Sequence, residues 1–380
     1  MITLRILLDQ MIAEVPGGIG RYTEELARQL IVRAPESCGV EAVISRVDPA
    51  ERSAIEAKLP GLSRIEMLPL PRAGLAQAWR AGVTVGMGGG MIHAPSLLAP
   101  LRRRDRTHDR GTQVVVTIHD AVPFSHPETL TRNGASWHKA MIRRAWKYAD
   151  AIVTPTHAVA EELSEYYDFG DRVRIIGGAV RADRPALLAG ADEVAARLAL
   201  PERFVLAVGT LEPRKGLEPL IEAMTKLEDT EIPLVIAGPD GWGDVRVAEV
   251  AAAAGLSPER LLVLGFLDEA DLAVVQSRAT IFAVPSFAEG FGLPLLEAMQ
   301  LGTAIVHSDV PALIEVSGGA GRSVPRADPA RYPELLAGTI DDVLSDPRAR
   351  EEMQIAGRDR ARLFSWADSA DKVWQLHADL

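Results

Sequence analysis

Short apolar runs alternate with helix-like stretches along most of this chain. LRILLD (4–9) is followed by a Gly-rich turn and an amphipathic stretch, GRYTEELARQLIVRA (20–34). MIHAP (91–95), VVVTIHD (114–120), AIVTPT (151–156) and VRIIGG (173–178) then read as strands, and AVAEELSEYY (158–167) as a helix behind Thr156 and His157. The spacing loosens through RADRPALLAGADEVAARL (181–198). A second series follows: FVLAVGT (204–210), PLVIAG (233–238), LLVLGF (261–266), IFAVPS (281–286) and AIVHSD (304–309), each leading into helix-compatible sequence. Alternating strands and helices imply parallel sheets covered on both faces. Two such series imply two doubly wound α/β domains. The first spans residues 1–180 and the second 181–363. The final stretch, FSWADSADKVWQLHADL (364–380), carries Trp366, Val373, Trp374 and Leu376 at helical spacing and is expected to pack back on the first domain. Ligands in such sheets sit beyond the carboxyl ends of the strands, and two facing domains would place a central cleft there.

A length of 380 residues agrees with two domains. With 47% apolar and 24% charged residues, both can bury a core. The single cysteine, Cys38, excludes an internal disulfide and a cysteine-based metal centre, and fits a cytoplasmic setting. The opening MITLRILLDQ contains Arg5 and Asp9 and reads as a strand, not as a signal peptide. The uncharged run from Ala81 to Leu101 is long enough for a bilayer. Its five glycines and two prolines fit a helix end, a turn and a buried strand better.

Charge changes the picture in one respect. Residues 1–180 hold 22 Lys and Arg against 20 Asp and Glu; residues 181–380 hold 19 against 32. An acidic second half argues against nucleic-acid binding. The basic residues of the first half cluster in LRRRDRTHDR (101–110) and WHKAMIRRAWKY (137–148). The second cluster sets Trp137, Trp146 and Tyr148 beside Lys139, Arg143, Arg144 and Lys147. That combination suits an anionic membrane surface at the inner face of the cell membrane. It equally suits a solvated helix face with its aromatics in the core.

The candidate chemistry concentrates in SFAEGFGLPLLEAMQLGTAIV (286–306). Glu289 and Glu297 flank a Gly-rich loop that runs into a helix. Pro294 stands in its first turn and Gly302 at its end. Free amides at a helix start form an anion site. An acid in the loop, amides for phosphates and a second acid one turn on suit a sugar nucleotide. GTLEPRKGL (209–217) sets Arg214 and Lys215 on a loop leaving a strand, where two cations can neutralise a departing diphosphate. AGPDGWG (237–243) and LGFLDEADL (264–272) leave neighbouring strands, and Phe266 and Leu267 would offer backbone groups to a base. VPGGIGRYTEEL (15–26) brings Gly17 and Gly18 to a helix start; without a third glycine it is not a dinucleotide fingerprint. His119, past the strand VVV, would bond a sugar hydroxyl or shuttle a proton. No metal-binding spacing and no nucleophile elbow appear.

These segments together resemble the retaining glycosyltransferases of family 4, which have the GT-B fold, and the resemblance runs from the first strand to the last helix. Its most specific part is FAEGFGLPLLEAM, similar to the family's Glu-x₇-Glu motif, followed by VGTLEPRKG, the GGIG loop and VVTIHD. VGTLEPRKG and HDAVPFSHPE look most like bacterial mannosyl- and rhamnosyltransferases of surface polysaccharides and glycolipids. The resemblance implies that Glu297 binds the ribose hydroxyls and Glu289 the donor sugar. Gly290, Phe291, Gly292 and Leu293 would surround sugar and diphosphate. Arg214 and Lys215, with Gly209 and Thr210 of their loop, would hold the diphosphate. Gly17 and Gly18 would approach the β-phosphate, and His119 would contact the sugar. Many members carry an arginine where this chain has Thr210. The implied reaction moves a hexose, with mannose from GDP-mannose as the preferred donor, to a lipid-linked or glycolipid saccharide, retaining the anomeric configuration. It would need neither metal nor other cofactor. UDP-glucose or an NDP-deoxyhexose such as rhamnose is the alternative donor. A sugar phosphorylase or epimerase, or an inactive partner subunit, could share the architecture.

Overall fold

The structure is a computed structural model that describes residues 2–13, 17–84, 86–105, 111–209, 212–238 and 247–380. It divides into two compact units, Met1–Gly178 with Ser365–Leu380, and Ala179–Phe364.

In the first unit the strands are β1 (Ile2–Leu7), β2 (Cys38–Ile44), β3 (Arg64–Met67), β4 (Met91–Ala94), β5 (Gln113–Thr117), β6 (Ala151–Thr154) and β7 (Val173–Ile175). They form one parallel sheet in the order β3-β2-β1-β4-β5-β6-β7. The apolar runs are its centre: Val114, Val116, Ile92 and Ile152 are buried together with Leu75, Trp79, Met141 and Ile142 from covering helices. Strands β2 and β3 are additions to the sequence expectation. Their apolar runs are broken by Glu41, Arg64 and Glu66. The break has a partner, because Arg5 on β1 bonds Glu66 and lies 3.7 Å from Glu41, its register neighbour on β2.

The second unit has β8 (Val205–Val208), β9 (Leu234–Ala237), β10 (Leu261–Gly265), β11 (Ile281–Val284), β12 (Ala304–Ser308) and β13 (Arg322–Val324), parallel in the order β10-β9-β8-β11-β12-β13. Val205, Leu234, Ile236, Ile281 and Val306 bury against Leu220, Ile221, Tyr332, Leu336 and Ile340. Each sheet reverses its direction of winding once, between β1 and β4 and between β8 and β11. Loops leaving these strand pairs diverge to opposite faces, which opens a crevice at the carboxyl ends.

The Trp366–Asp379 helix belongs to the first unit. Trp374 Nε1 donates to the Leu30 carbonyl at 3.1 Å, the Ser369 hydroxyl donates to Gly177 O at 2.8 Å, and the Trp366 ring meets Tyr22 edge-on at 5.3 Å. The run 81–101 resolves into the end of the Arg72–Arg80 helix, a turn and β4. Among the described residues no helix is long and apolar enough to cross a membrane.

Candidate functional site

The loops leaving β8 and β11 meet at the switch point of the second sheet. The first ends in a single 3₁₀ turn, Pro213–Lys215, capped by Gly216 at φ +66. A Cβ on Gly216 would stand 2.1 Å from the Pro285 carbonyl oxygen, so only glycine lets the two loops close. The Phe287 amide then donates to Arg214 O at 2.8 Å and joins the loops directly. Tyr332 OH donates to Pro285 O at 2.9 Å, and the Ser308 hydroxyl to Ser286 O at 2.6 Å.

This closure brings Lys215 to Glu289. Lys215 Nζ lies 2.7 Å from Glu289 Oε1, the Ser286 hydroxyl donates to the same oxygen at 2.8 Å, and Arg214 Nη1 stands 3.8 Å from Oε2. Burial alone would raise the Glu289 pKa, but Lys215 and Arg214 outweigh it and hold the carboxyl below its ordinary range. Arg214 also bonds Glu212 at 2.8 Å. A small pocket beside the pair is lined by Gly209, Lys215 and Ser286. The Lys215 stem passes over Gly209, where an added Cβ would meet its Cδ and Cε at 3.5 Å. Thr210 lies outside the described residues, as does most of the 237–243 loop.

Beyond Glu289 the loop turns at Gly292, φ +88, into the Leu293–Leu301 helix. Pro294 occupies its first turn and Gly302 closes it at φ +79. The Phe291 side chain is buried and meets Phe364 edge-on at 5.7 Å. Glu297 follows one turn into the helix and is buried; Arg184 Nη2 approaches its Oε2 at 3.6 Å. Phe266 and Leu267 follow directly on β10, the edge strand, two positions from β8. The Phe266 side chain is 75% exposed.

The first unit holds the remaining candidates. Gly17 and Gly18 lie inside the first turn of the Gly17–Val32 helix rather than before it, and both are exposed. The same helix carries Tyr22, whose buried ring stands edge-on to His119 at 4.8 Å. His119 Nε2 is 2.7 Å from the Pro95 carbonyl. A carbonyl only accepts, so Nε2 carries the proton and Nδ1 is the acceptor. Burial lowers the His119 pKa. The ring is therefore held neutral near neutral pH, with Nδ1 as its accepting nitrogen. Asp120 caps the next turn, accepting from the Val122 amide at 3.1 Å.

The aromatic residues of the Arg132–Tyr148 helix face inward. Trp137 Nε1 donates to Ala76 O at 3.1 Å, and Trp146 Nε1 to Asp168 O at 2.8 Å. With Tyr148 they pack against the first unit's core, while Arg143 and Lys147 stay exposed. The aromatics are thus taken up by the core, and the face left to solvent is basic.

Two family models match the chain: "Glycosyltransferase Family 4" over residues 16–184 and "Glycosyl transferases group 1" over 192–360. The chain belongs to the family 4 glycosyltransferases. The serotype-specific mannosyltransferase WbdA of Escherichia coli is 30% identical over 269 residues, which are 68% of this chain and 32% of that protein. The chain thus spans about a third of that relative's length. The O-antigen chain mannosyltransferase B of the same organism is 28% identical, and the match covers 92% of both chains. Among solved structures, Anabaena HepE in complex with UDP and glucose superimposes with a TM-score of 0.74 at 16% identity, covering all of both chains. The fold is GT-B.

The sequence reading missed Arg184 and Gln276. Both are buried, and Arg184 Nη2 donates to Gln276 Oε1 at 2.6 Å. Arg184 stands in the stretch where hydrophobic spacing loosens, and its partner is 92 residues away. No local pattern marks such a contact.

Proposed function

We propose that this chain is a retaining glycosyltransferase that moves mannose from GDP-mannose to a lipid-linked or glycolipid saccharide. The observation that carries the reading is the Lys215–Glu289–Ser286 cluster at the β8/β11 switch point, one turn before a helix that presents Glu297. The mannosyl preference is supported by the two Escherichia coli relatives.

In this proposal the helix amides and Gly290–Gly292 surround the diphosphate. Lys215 and Arg214 neutralise it, and Glu297 takes the ribose hydroxyls. Glu289, kept ionised by its cations, accepts from the hydroxyls of the donor sugar. The bond from the anomeric carbon to the phosphate oxygen breaks as the acceptor oxygen bonds the same face. The acceptor proton passes to the departing phosphate. Charge stabilisation by preorganised cations then supplies most of the catalysis. In the first unit, Gly17 and Gly18 approach the β-phosphate and neutral His119 receives a sugar hydroxyl at Nδ1. Lys215, Arg214 and the helix amides take the part that a divalent ion plays elsewhere, so transfer should survive EDTA. Arg143 and Lys147 would favour acceptors on an anionic surface.

A thermal-shift panel of GDP, UDP, dTDP and ADP tests the donor, because a ligand of the native state raises the melting temperature. A shift with GDP alone is expected. A shift with UDP or dTDP alone would discard GDP-mannose and favour UDP-glucose or an NDP-deoxyhexose; the UDP and glucose held by Anabaena HepE support that second reading. A Glu289→Ala protein should keep its fold and lose transfer by about 10²–10³-fold. Wild-type turnover there would overturn the role of Glu289.

A further inference from the structure

A buried cation from outside both motif loops approaches Glu297. Arg184 is 1% exposed, among the largest fully buried side chains of the chain. It stands six residues past the unit boundary at Gly178, at the start of the Arg184–Leu188 turn. Its guanidinium stands 2.6 Å from Gln276 Oε1, 3.5 Å from Glu269 Oε1 and 3.6 Å from Glu297 Oε2. Gln276 is fully buried on the Glu269–Arg278 helix, and its own Nε2 donates to Pro294 O at 3.3 Å, in the first turn of the Leu293–Leu301 helix. Further along that helix, Gln300 Nε2 donates to the backbone carbonyl of Arg181 at 2.8 Å. The helix carrying Glu297 is thus tied at both ends to the segment 181–184, once through Gln276 and once directly.

We infer that Arg184 is a positioning residue for donor recognition: it fixes the Glu297 carboxylate in the orientation that receives the ribose hydroxyls. A buried carboxylate is costly without a compensating charge, and a guanidinium offers a planar, permanently charged fork. Glu269 is more than a third exposed, so it can turn to water; the buried Glu297 cannot. Arg184 is therefore the charge that lets Glu297 wait in the apolar interior for a ligand. Arg184 Nη2 meets Gln276 and Glu297 while Nη1 reaches Glu269; a lysine keeps the charge but not the fork, so it cannot serve both sides in the same geometry.

This inference rests on the proposed role of Glu297, and its test separates the two. Wild-type, Glu297→Gln, Arg184→Met and Arg184→Lys proteins are titrated by calorimetry with GDP and UDP and with their 2′,3′-dideoxy forms. The wild type should bind the better nucleotide about tenfold more tightly than its dideoxy form, the factor that one charged hydrogen bond supplies. Glu297→Gln should reduce that ratio to about twofold. Arg184→Met should reduce it equally, and Arg184→Lys to an intermediate value, with transfer showing a raised donor KM and little change in kcat. A general loss of stability would weaken both forms alike and leave the ratio intact. If Glu297→Gln keeps the ratio, or the wild type binds neither nucleotide, the role of Glu297 fails and the inference falls with it. If Glu297→Gln collapses the ratio and Arg184→Met keeps it, the inference alone is overturned. Should Arg184→Met not fold, Arg184→Lys decides: an unchanged ratio overturns the inference, and a reduced one supports it.

Discussion

Lys215 and Arg214 keep Glu289 charged in a place where burial opposes charge, and this has a pH signature. The folded carboxyl titrates below its ordinary value of 4.5. The stability it contributes is therefore complete above about 4.5 and is lost as pH falls through the lower folded value. Urea unfolding of the second unit, measured between pH 6 and pH 3, should weaken with acid in the wild type and less steeply in Glu289→Gln. Equal slopes would show that the pairing carries no linkage. Residue by residue, the sequence was most legible where spacing is short. Glu289 and Glu297 stand in one segment, as do Arg214 and Lys215, and the structure joins the two segments. It was illegible where a side chain acts across the fold. The proton position on His119 follows from the carbonyl of Pro95, and Glu297 lies 3.6 Å from Arg184, more than a hundred residues earlier in the chain.

Among elements, the 3₁₀ turn at Pro213–Lys215 is the most exacting. Gly216 takes a left-handed φ, and a methyl group there would strike the backbone of Pro285. Gly216→Ala should destabilise the second unit by about 2–3 kcal/mol, from left-handed strain plus a backbone clash. Donor affinity should fall with it, read by thermal melting and nucleotide titration. A second element-scale effect belongs to the Trp366–Asp379 helix. Its His377 faces His93 of β4 at 5.7 Å between ring centroids, with Gln113 bonded to His377 Nδ1 at 3.0 Å. Burial lowers the His377 pKa to about 4 and pushes His93 well below its ordinary value. Both rings fold neutral, so their contribution is complete above about pH 6.5 and declines as pH falls towards 4. Tryptophan fluorescence should report the first unit weakening through that window. In His377→Leu the decline should be shallower by about one proton. Continuous apolar runs and helical spacing disclosed the central strands and this last helix. They did not disclose the short β13, nor β2 and β3, whose Glu41 and Glu66 answer Arg5 of β1. A pattern read along the chain misses polarity that is satisfied across a sheet.

For the whole molecule, the two units separate what the closing helix stabilises from what binds the nucleotide. Deleting Ser365–Leu380 removes Trp366 and Trp374, both more than nine-tenths buried. About 2 kcal/mol for each buried aromatic should be lost, along with the bonds to Leu30 and Gly177. The first unit should then melt at a markedly lower temperature. The second unit should still melt cooperatively and keep its nucleotide-induced shift, since Arg214, Lys215, Glu289 and Glu297 lie within Ala179–Phe364. Loss of that shift on deletion would show that the donor site needs the first unit's fold.

The same chain order bears on birth at the ribosome. The first unit is begun first yet finished last, because its closing helix is translated only after the whole of Ala179–Phe364 has emerged. At about 5–20 residues per second, the sheet β1–β7 waits roughly 10–40 s for its final helix. During that interval the surface that Trp366 and Trp374 later cover stays open to chaperones and to neighbouring nascent chains. A premature stop just after Phe364 would spare the younger unit and cripple the elder.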